Sequence, residues 1–398
     1  MACVGLDMAF YASTFALAAN ALDINGVAGF AGTLTGSGNI SVASNFDFDT
    51  DVDFSGYTGT IIHDDAAANA DTLATNGATL PALTINNGVT SFELQDALSC
   101  GDLTMTAGKF DYNGNAVTVD GDLKYGGGAY VNDATTTMTG TGHLEWNTAS
   151  YELTDLVIAL GAVVTTTASV FVDDKINIAG TLTGASSLII FQTSTANWWT
   201  QTGTLSCHLK INKVTTAPGG DIVQTGAVGI NVITDTASRT LTMTSRICTE
   251  GTLTVKSDTA LTEMTLAMGS NEVRAAAIVL GDSNTTGGGI LTGTGVMVLG
   301  SLTDGNAIND ANSITLSTYT EGSGNFDFDN IAHAATADNV AHIVCTGTGV
   351  VNNFDPAEIV HVHGDATVDG GTNNAVNNKT TFNEHAPPGS LMTMGVGV

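Results

Sequence analysis

The stretch NFDFDTDVDF, from Asn45 to Phe54, alternates apolar side chains with aspartates, and its first five letters return at Asn325 to Asp329. In a β-strand, successive side chains point to opposite faces, so residues two positions apart share a face. The alternation therefore predicts that the phenylalanines and Val52 face an interior, while the aspartates between them face solvent.

The same period of two runs along most of the chain. The segments are short, rich in Thr, Val, Ile and Leu, and bounded by Gly, Asn or Asp, as strands are. Examples are ALTIN (82–86), SFELQ (91–95), DLTMT (102–106), AVTVD (116–120), KINIAG (175–180), TLTMT (240–244), TLTVK (252–256), SITLS (313–317) and HIVC (342–345). Helical periodicity is best matched by FALAANALD (15–23) and DDAAANADTLAT (64–75).

A glycine element followed by alternating apolar residues recurs along the chain. It reads GSGNISV from Gly36, GTGHLEW from Gly140, GASSLII from Gly184, GTGVMVL from Gly293, GSGNFDF from Gly322 and GTGVVNN from Gly347. Its shorter spacings indicate a repeat of about 22–29 residues, which is the length of one coil of a β-solenoid. We therefore predict an all-β parallel solenoid. The longer spacings leave open a string of antiparallel β-sandwiches.

The motifs GTLTGSGNI, TMTGTGHL and ILTGTGVMV resemble those of the parallel β-helix proteins found in phage tail spikes, fibres and capsid appendages, and in bacterial surface adhesins. The resemblance covers about residues 25–370 and implies an architecture, a virion or extracellular location, and no particular catalytic residue. On this basis we expect an N-terminal cap or attachment segment at 1–30, a solenoid body at 31–370, and a C-terminal arm at 371–398.

The charge balance limits the classes of partner. The chain of 398 residues has 39 acidic and 10 basic residues, a formal net charge of −29, and a charged fraction of only 12%. Nucleic acids and anionic membranes bind clusters of Lys and Arg, which are absent from this sequence. No apolar run is long enough for a membrane-spanning helix. The five scattered cysteines form no CxxC pair and predict neither a zinc site nor a disulfide framework.

Two patterns are candidates for divalent-cation sites. Asp47, Asp49, Asp51 and Asp53 could offer carboxylate oxygens to Ca²⁺, although alternating carboxylates on one strand lie about 7 Å apart. The ordinary interpretation of that run is a solvated outer face. In the second pattern, His361 and His363 stand two apart on a strand and could share one metal ion, on the axis of a trimer for instance.

The pair Trp198 and Trp199 is a candidate glycan subsite or subunit interface. Neighbouring residues of a strand face opposite sides, so one ring is expected to be exposed. The sequence contains no nucleophile elbow, phosphate loop or zinc-protease motif. We therefore expect no enzymatic activity.

These observations favour a structural virion or surface protein that assembles with itself, as a homotrimer, and with other structural proteins. A glycan-binding adhesin and a polysaccharide-degrading tail-spike enzyme are the alternatives, the latter because carboxylate pairs on a β-helix can hydrolyse glycosides.

Overall fold

The computed structural model describes residues 2–3, 5–8, 14–65, 70–131, 134–146, 152–191, 195–234, 237–259, 262–281 and 288–292, and after residue 292 only the strands. Within these residues all regular secondary structure is β, with no helix. The chain divides into an N-terminal unit, Met1–Leu188, and a C-terminal unit, Ile189–Val398.

The strands are short in both units, with a few long exceptions. In chain order they are β1 Ala2–Cys3, β2 Leu6–Met8, β3 Thr14–Ala16, β4 Leu22–Ile24, β5 Ala28–Phe30, β6 Thr33–Gly36, β7 Ile40–Val42, β8 Phe46–Phe48, β9 Asp53–Tyr57, β10 Ile61–His63, β11 Asp71–Ala74, β12 Thr79–Leu94, β13 Leu98–Asp111, β14 Val117–Val119, β15 Leu123–Tyr125, β16 Ala129–Val131, β17 Thr135–Met138, β18 Thr141–Trp146, β19 Leu153–Ile158, β20 Val163–Thr166, β21 Val170–Ile178 and β22 Thr181–Phe191. They continue as β23 Trp199–Gln201, β24 Thr204–Asn212, β25 Ile222–Gln224, β26 Ile230–Thr234, β27 Arg239–Thr242, β28 Ile247–Ser257, β29 Glu263–Ala267, β30 Val273–Leu280, β31 Gly288–Thr292, β32 Val296–Leu299, β33 Leu302–Asp304, β34 Asn312–Thr315, β35 Tyr319–Gly322, β36 Phe326–Asp327, β37 Ile331–Ala334, β38 His342–Cys345, β39 Val350–Asn352, β40 Ile359–Val362, β41 Ala366–Asp369, β42 Phe382–Glu384 and β43 Met392–Gly395.

The N-terminal unit is a parallel β-solenoid. One ladder of parallel pairs runs through β4, β7, β10, β12, β13, β15 and β18, so that each strand lies beside its counterpart in the next coil. A second ladder includes β5, β8, β11 and β12, and a third joins β13, β14, β17, β19 and β21. This parallel pairing confirms the predicted solenoid and contradicts the alternative of antiparallel sandwiches.

The C-terminal unit repeats this arrangement. Its ladders run through β24, β26, β28, β30, β33 and β36, through β25, β28, β30, β32, β35 and β38, and through β27, β29, β31, β34 and β37. The described strands of this unit therefore form stacked parallel coils as well.

The coils vary in length within both units. In the N-terminal unit, paired residues stand 18 apart at Leu22 and Ile40 and 27 apart at Phe46 and Leu73. In the C-terminal unit, the separation is 17 residues between β38 and β40 and 25 residues where Leu253 of β28 pairs with β30. The predicted repeat of about 22–29 residues therefore overlaps the observed coil lengths but misses the shorter coils.

The opening stretch folds as predicted at its first strand and differently after it. Phe46 and Phe48 are buried in β8, and the Asp47 side chain between them is exposed. The chain then turns, with the Val52 amide donating to the Asp49 carbonyl at 3.1 Å, so Phe54 is buried from β9 instead. Val52 is only half-buried, because it lies in the turn and not in a strand.

The phenylalanines stack from coil to coil inside the N-terminal unit. The Phe48 ring lies 5.4 Å from Phe30 in the preceding coil, and the Phe46 ring lies 5.9 Å from Phe92. Phe92 in turn stacks on Phe110 at 6.1 Å. Such contacts add to area burial because offset and edge-on ring pairs are attractive. The interior is therefore a stack of like side chains along the coil axis.

The glycine element marks corners where neighbouring coils nearly touch. A Cβ atom added to Gly38 would lie 1.8 Å from the Asn20 carbonyl oxygen of the preceding coil, and one added to Gly140 would lie 1.9 Å from the Asp120 carbonyl oxygen. Only glycine fits at such a distance. Gly184 differs, because it lies within β22, which continues through it to Phe191.

Both Ala-rich segments with helical periodicity contain strands. The first contributes most of β3 and most of β4, and between them Ala18 has a left-handed φ of 50° at a corner. The second contributes β11, while its residues 66–69 lie outside the described residues. Here parallel pairing with neighbouring coils outweighs the helical propensity of alanine, which is a weak preference.

The predicted end segments also contain paired strands. In the segment 1–30, β1 pairs with β4 and β2 pairs with β5, in parallel. In the segment 371–398, β42 and β43 pair in parallel with β40 and β41. The predicted boundaries at residues 30 and 370 stay predictions.

Three cysteines lie in described parts of the core. Cys100, Cys207 and Cys248 are buried and take part in no disulfide bond. Burial raises the pKa of the Cys100 thiol to about 12, with a smaller contribution from the Asp102 charge. Buried cysteines of this kind behave as small apolar core residues.

Truncation of one stacked phenylalanine is expected to destabilise the N-terminal unit strongly. Phe48→Ala should lower the free energy of unfolding by about 3–5 kcal/mol, because it leaves a cavity among stacked rings. The matched control is Asp51→Ala, in the exposed turn that follows, for which a change within about 0.5 kcal/mol is expected. Urea unfolding followed by circular dichroism measures both, and equal losses would contradict the assignment of interior and exterior faces.

Candidate functional site

The four aspartates of the opening stretch are exposed, but they do not form one row on one strand. Asp47 lies in β8, Asp49 and Asp51 lie in the turn, and Asp53 begins β9. The chain therefore changes direction between Asp47 and Asp53. The strand geometry on which a shared Ca²⁺ site was predicted does not exist.

Two of these carboxylates hold local hydrogen bonds to the backbone. The Asp49 Oδ1 atom accepts from the Thr50 amide at 2.7 Å, and Asp53 Oδ1 accepts from the Ser55 amide at 2.8 Å. That bond and a further one from the Ser55 side chain lower the pKa of Asp53. Among the described residues no three His, Cys, Asp or Glu side chains are placed to hold a metal ion. Asp49 and Asp53 therefore stabilise the local backbone conformation, as Asp commonly does in turns.

The histidine pair is only partly described. His361 lies in β40, where its backbone is in register with Val344 of β38 and Asn383 of β42. Its side chain and the whole of His363 lie outside the described residues. The metal site at this pair stays a prediction.

Both tryptophans of the candidate glycan subsite are buried, so the prediction of one exposed ring is wrong. Trp198 and Trp199 each have 0% of their surface exposed. Strand β23 begins only at Trp199, and Asn197 has a left-handed φ of 58°. The chain therefore bends just before the pair, and the alternation of faces in a continuous strand does not apply.

The two indoles are held by backbone hydrogen bonds. Trp198 Nε1 donates to the Thr216 carbonyl and Trp199 Nε1 donates to the Asp221 carbonyl, each at 2.9 Å. The rings pack edge to face with their centres 6.0 Å apart. This is how buried indoles are satisfied in a core. Neither ring is accessible to a sugar or to another subunit.

A buried polar cluster in the N-terminal unit is the most unusual chemical feature of the described residues. His63, at the end of β10, is 1% exposed, Asp71 in β11 is 4% exposed, and Asp65 is 6% exposed. His63 Nε2 lies 3.1 Å from Asp71 Oδ2. The imidazole ring stacks on Phe92 with the ring centres 3.9 Å apart. One histidine and two carboxyl groups are thus enclosed among stacked aromatic rings.

Burial shifts the protonation equilibria of the pair in opposite directions. Removal from water lowers the pKa of His63 to about 4, against a smaller opposing effect of Asp65. Burial, followed by the hydrogen bond and negative charge of Asp65, raises the pKa of Asp71 to about 6. Both shifts favour the uncharged forms, as desolvation does. At neutral pH we therefore assign a neutral imidazole that donates from Nε2 to Asp71.

Sequence reasoning missed this cluster, although the alternation contained a signal for it. In IIHDD (61–65), Ile61 and His63 share a face, so an inward Ile61 places His63 in the core. A single histidine on an apolar face carries no ligand spacing, so the pattern alone does not mark His63 as part of a polar cluster. The partner Asp71 could not be found, since its proximity depends on the path of the chain between β10 and β11.

Outside the core, aspartates connect one coil to the next. Asp102 Oδ1 accepts from the Asp122 amide at 2.8 Å, and Asp122 Oδ1 accepts from the His143 amide at 2.9 Å. The Lys124 ammonium lies 2.8 Å from Asp122. Partial burial would raise the pKa of Asp122, but the hydrogen bonds from Lys124 and His143 prevail and lower it to about 2.

No protein-family model matches the sequence, and neither a curated protein nor a solved structure matches the chain. A search of the described residues for an apolar helix long enough to cross a membrane finds none.

The burial of the tryptophans predicts a simple optical result. The chain has three tryptophans, and Trp146 is also buried, with 3% exposed. The emission of the folded protein should be blue-shifted, and iodide should quench it far less than it quenches the urea-unfolded protein. A native fraction quenched as readily as free tryptophan would indicate an exposed ring and restore the glycan subsite.

The buried pair predicts two opposing pH effects on stability. His63, with its pKa depressed in the fold, contributes stability that is present above about pH 6.5 and lost as the pH falls towards 4. Asp71, with its pKa raised, contributes stability that is present below about pH 4 and lost as the pH rises through 6. Between pH 4 and 6, the two contributions to the free energy of unfolding therefore change with pH in opposite directions.

Single substitutions should separate these slopes. Relative to the unsubstituted chain, Asp71→Asn should lose further stability, on the order of 1 kcal/mol, as the pH falls from 6.5 to 4. His63→Phe keeps an aromatic ring on Phe92 and should gain relative stability over that range. The neighbouring Asp23, Asp64 and Asp65 are present in both variants. Urea unfolding at several pH values measures this, and parallel pH profiles for all three proteins would contradict the assignment.

Proposed function

We propose that this chain is a structural protein of a virion or cell surface that acts by self-assembly and surface display. The observation that supports it most is the use of polar side chains at the coil corners. Asp102, Asp122 and others bind the backbone of the adjacent coil, so exterior polar groups stabilise the stack. Such interactions between nearest neighbours are the basis of stability in repeat scaffolds.

Similar bonds between coils recur elsewhere in both units. In the N-terminal unit, Asp96 Oδ1 accepts from the Thr75 amide at 2.8 Å. In the C-terminal unit, Gln201 Oε1 accepts from the Val223 amide at 3.0 Å while its Nε2 donates to the Val223 carbonyl. Each unit thus has an apolar interior and side-chain hydrogen bonds from one coil to the backbone of the next, which suits a durable scaffold.

The acidic surface supports the choice of a displayed, soluble scaffold. A net charge of −29 gives long-range repulsion between copies and from anionic polymers. Self-association, which we propose to be trimeric, must overcome this repulsion. It should therefore strengthen as salt shortens the screening length, which is about 10 Å at 0.1 M ionic strength.

The alternative functions have less support. The glycan-binding adhesin was predicted from an exposed tryptophan, and both rings are buried. For the polysaccharide-degrading enzyme, the buried cluster of His63 and Asp71 is enclosed at 1% and 4% exposure and offers no open carboxylate pair to a sugar. Neither is proposed as a second function.

Immunogold electron microscopy of the native source is the decisive experiment. Antibodies against the folded chain should label particles or surface appendages, and antibody absorbed with the purified protein should not. Label restricted to the cell interior would overturn the proposal. Sedimentation velocity at low and high salt tests the trimer separately, since a monomer at all salt concentrations would remove self-assembly but leave display intact.

A further inference from the structure

The sequence contains four Asn-Gly pairs, and all four lie in described parts of the N-terminal unit. They are Asn25–Gly26, Asn76–Gly77, Asn87–Gly88 and Asn113–Gly114. An asparagine followed by glycine is chemically reactive, because the unhindered glycine amide nitrogen can attack the side-chain amide carbon. A folded protein suppresses the reaction where it fixes the two groups apart, so the four pairs can be ranked by how each is held.

At Asn87, hydrogen bonds hold both the side-chain amide and the attacking glycine nitrogen. Its side chain is 1% exposed, with Oδ1 accepting from the Lys109 amide at 3.0 Å and Nδ2 donating to the Lys109 carbonyl at 3.4 Å. The attacking nitrogen is held as well, since the Gly88 amide donates to the Asp65 carbonyl at 2.9 Å. Both the nucleophile and the electrophile would have to break bonds between coils before reacting.

Asn76 and Asn113 are held by their side-chain amides. Asn76 Nδ2 donates to the Phe48 carbonyl at 2.6 Å, and its φ is 49°. Asn113 Nδ2 donates to Glu93 Oε1 at 3.0 Å and to the Leu94 carbonyl at 3.3 Å, and its φ is 51°. In both turns the leaving amide is fixed to the preceding coil.

Asn25 differs from the other three. It is exposed and lies in the corner between β4 and β5. Within the described residues, neither its side-chain amide nor the Gly26 amide has a hydrogen-bond partner. Gly26 also lacks the positive φ found at Gly77 and Gly114. The Asn25 side chain is therefore in water, and no hydrogen bond within the described part of the chain prevents the two reactive groups from rotating towards each other.

We propose that Asn25 is a site of spontaneous covalent modification by deamidation. The Gly26 nitrogen forms a bond to the Asn25 side-chain carbon, its proton leaves, and the bond to Nδ2 breaks with release of ammonia. Water then opens the resulting five-membered imide at either carbonyl. The products are aspartate and, where the chain continues through the side chain, isoaspartate. No oxidant or cofactor takes part.

The modification would alter one column of corners. Ile24 is in register with Val42 and Val42 with His63, so Asn25 occupies the same column as Ala43 and Asp64. A carboxylate at position 25 would stand two coils from Asp64, about 10 Å away. Isoaspartate would also add one atom to the backbone between β4 and β5. Each modified molecule thus becomes more acidic at one defined corner.

Peptide mapping by mass spectrometry of the folded chain, aged in mildly alkaline buffer, tests this proposal. The Asn25 peptide should accumulate aspartate and isoaspartate at least about tenfold faster than the peptides of Asn76, Asn87 and Asn113. Tenfold corresponds to about 1.4 kcal/mol, the scale of one hydrogen bond that must be broken. In urea at about 8 M, which removes the fold, the four rates should converge.

Two variants complete the test. Asn25→Gln should abolish the signal at this position, because the longer side chain closes a ring far less readily, and should leave the other three rates unchanged. Asn113→Gln is the matched control and should leave the Asn25 rate unchanged. Equal rates at the four pairs in the folded protein, or an unmodified Asn25 peptide while another pair reacts, would overturn the proposal.

Discussion

Each strand is hydrogen-bonded to the corresponding strand of the next coil, and the structure depends on this constraint. Because the pairing is parallel and nearly in register, an inward residue must lie above another inward residue. Phe48 beside Phe30 and Leu103 beside Leu123 are examples. The alternation of apolar and polar side chains therefore has to keep its phase through every strand, and a slip of one residue would reverse the faces. Coils of different length keep this register because the extra residues lie in the corners between strands.

This constraint explains which features could be predicted from sequence. The fold class and most strand positions follow from the phase of alternation, and so does the burial of Phe46 and Phe48. The turn after Phe48 was missed because Asp49 to Asp53 keep the alternating letters while the chain changes direction. Trp198 and Trp199 were misjudged for a related reason, since a left-handed Asn197 interrupts the alternation. The alternation of apolar and polar residues does not by itself show where a strand ends.

The buried cluster shows the other limit of prediction. That His63 points inward follows from Ile61, but its contact with Asp71 depends on the three-dimensional path between two strands. The pair also changes how the core should be understood. An uncharged histidine stacked on Phe92 fills space as an aromatic ring does, and its Nε2 atom forms a hydrogen bond with the buried Asp71 carboxyl group. Its neutrality is a result of burial and not of its intrinsic chemistry.

The short spacing between paired strands has a consequence for how the chain folds. In the N-terminal unit, partners such as Leu22 and Ile40 or Ile61 and Leu83 belong to consecutive coils and are close in sequence. Relative to 398 residues, a separation of about 20 corresponds to a contact order of about 0.05, which is below the range of typical all-β sandwiches, about 0.16–0.22. Each coil can pair with the one before it as soon as it leaves the ribosome, without waiting for distant sequence. An all-β protein of this kind can therefore grow in the order in which it is synthesised.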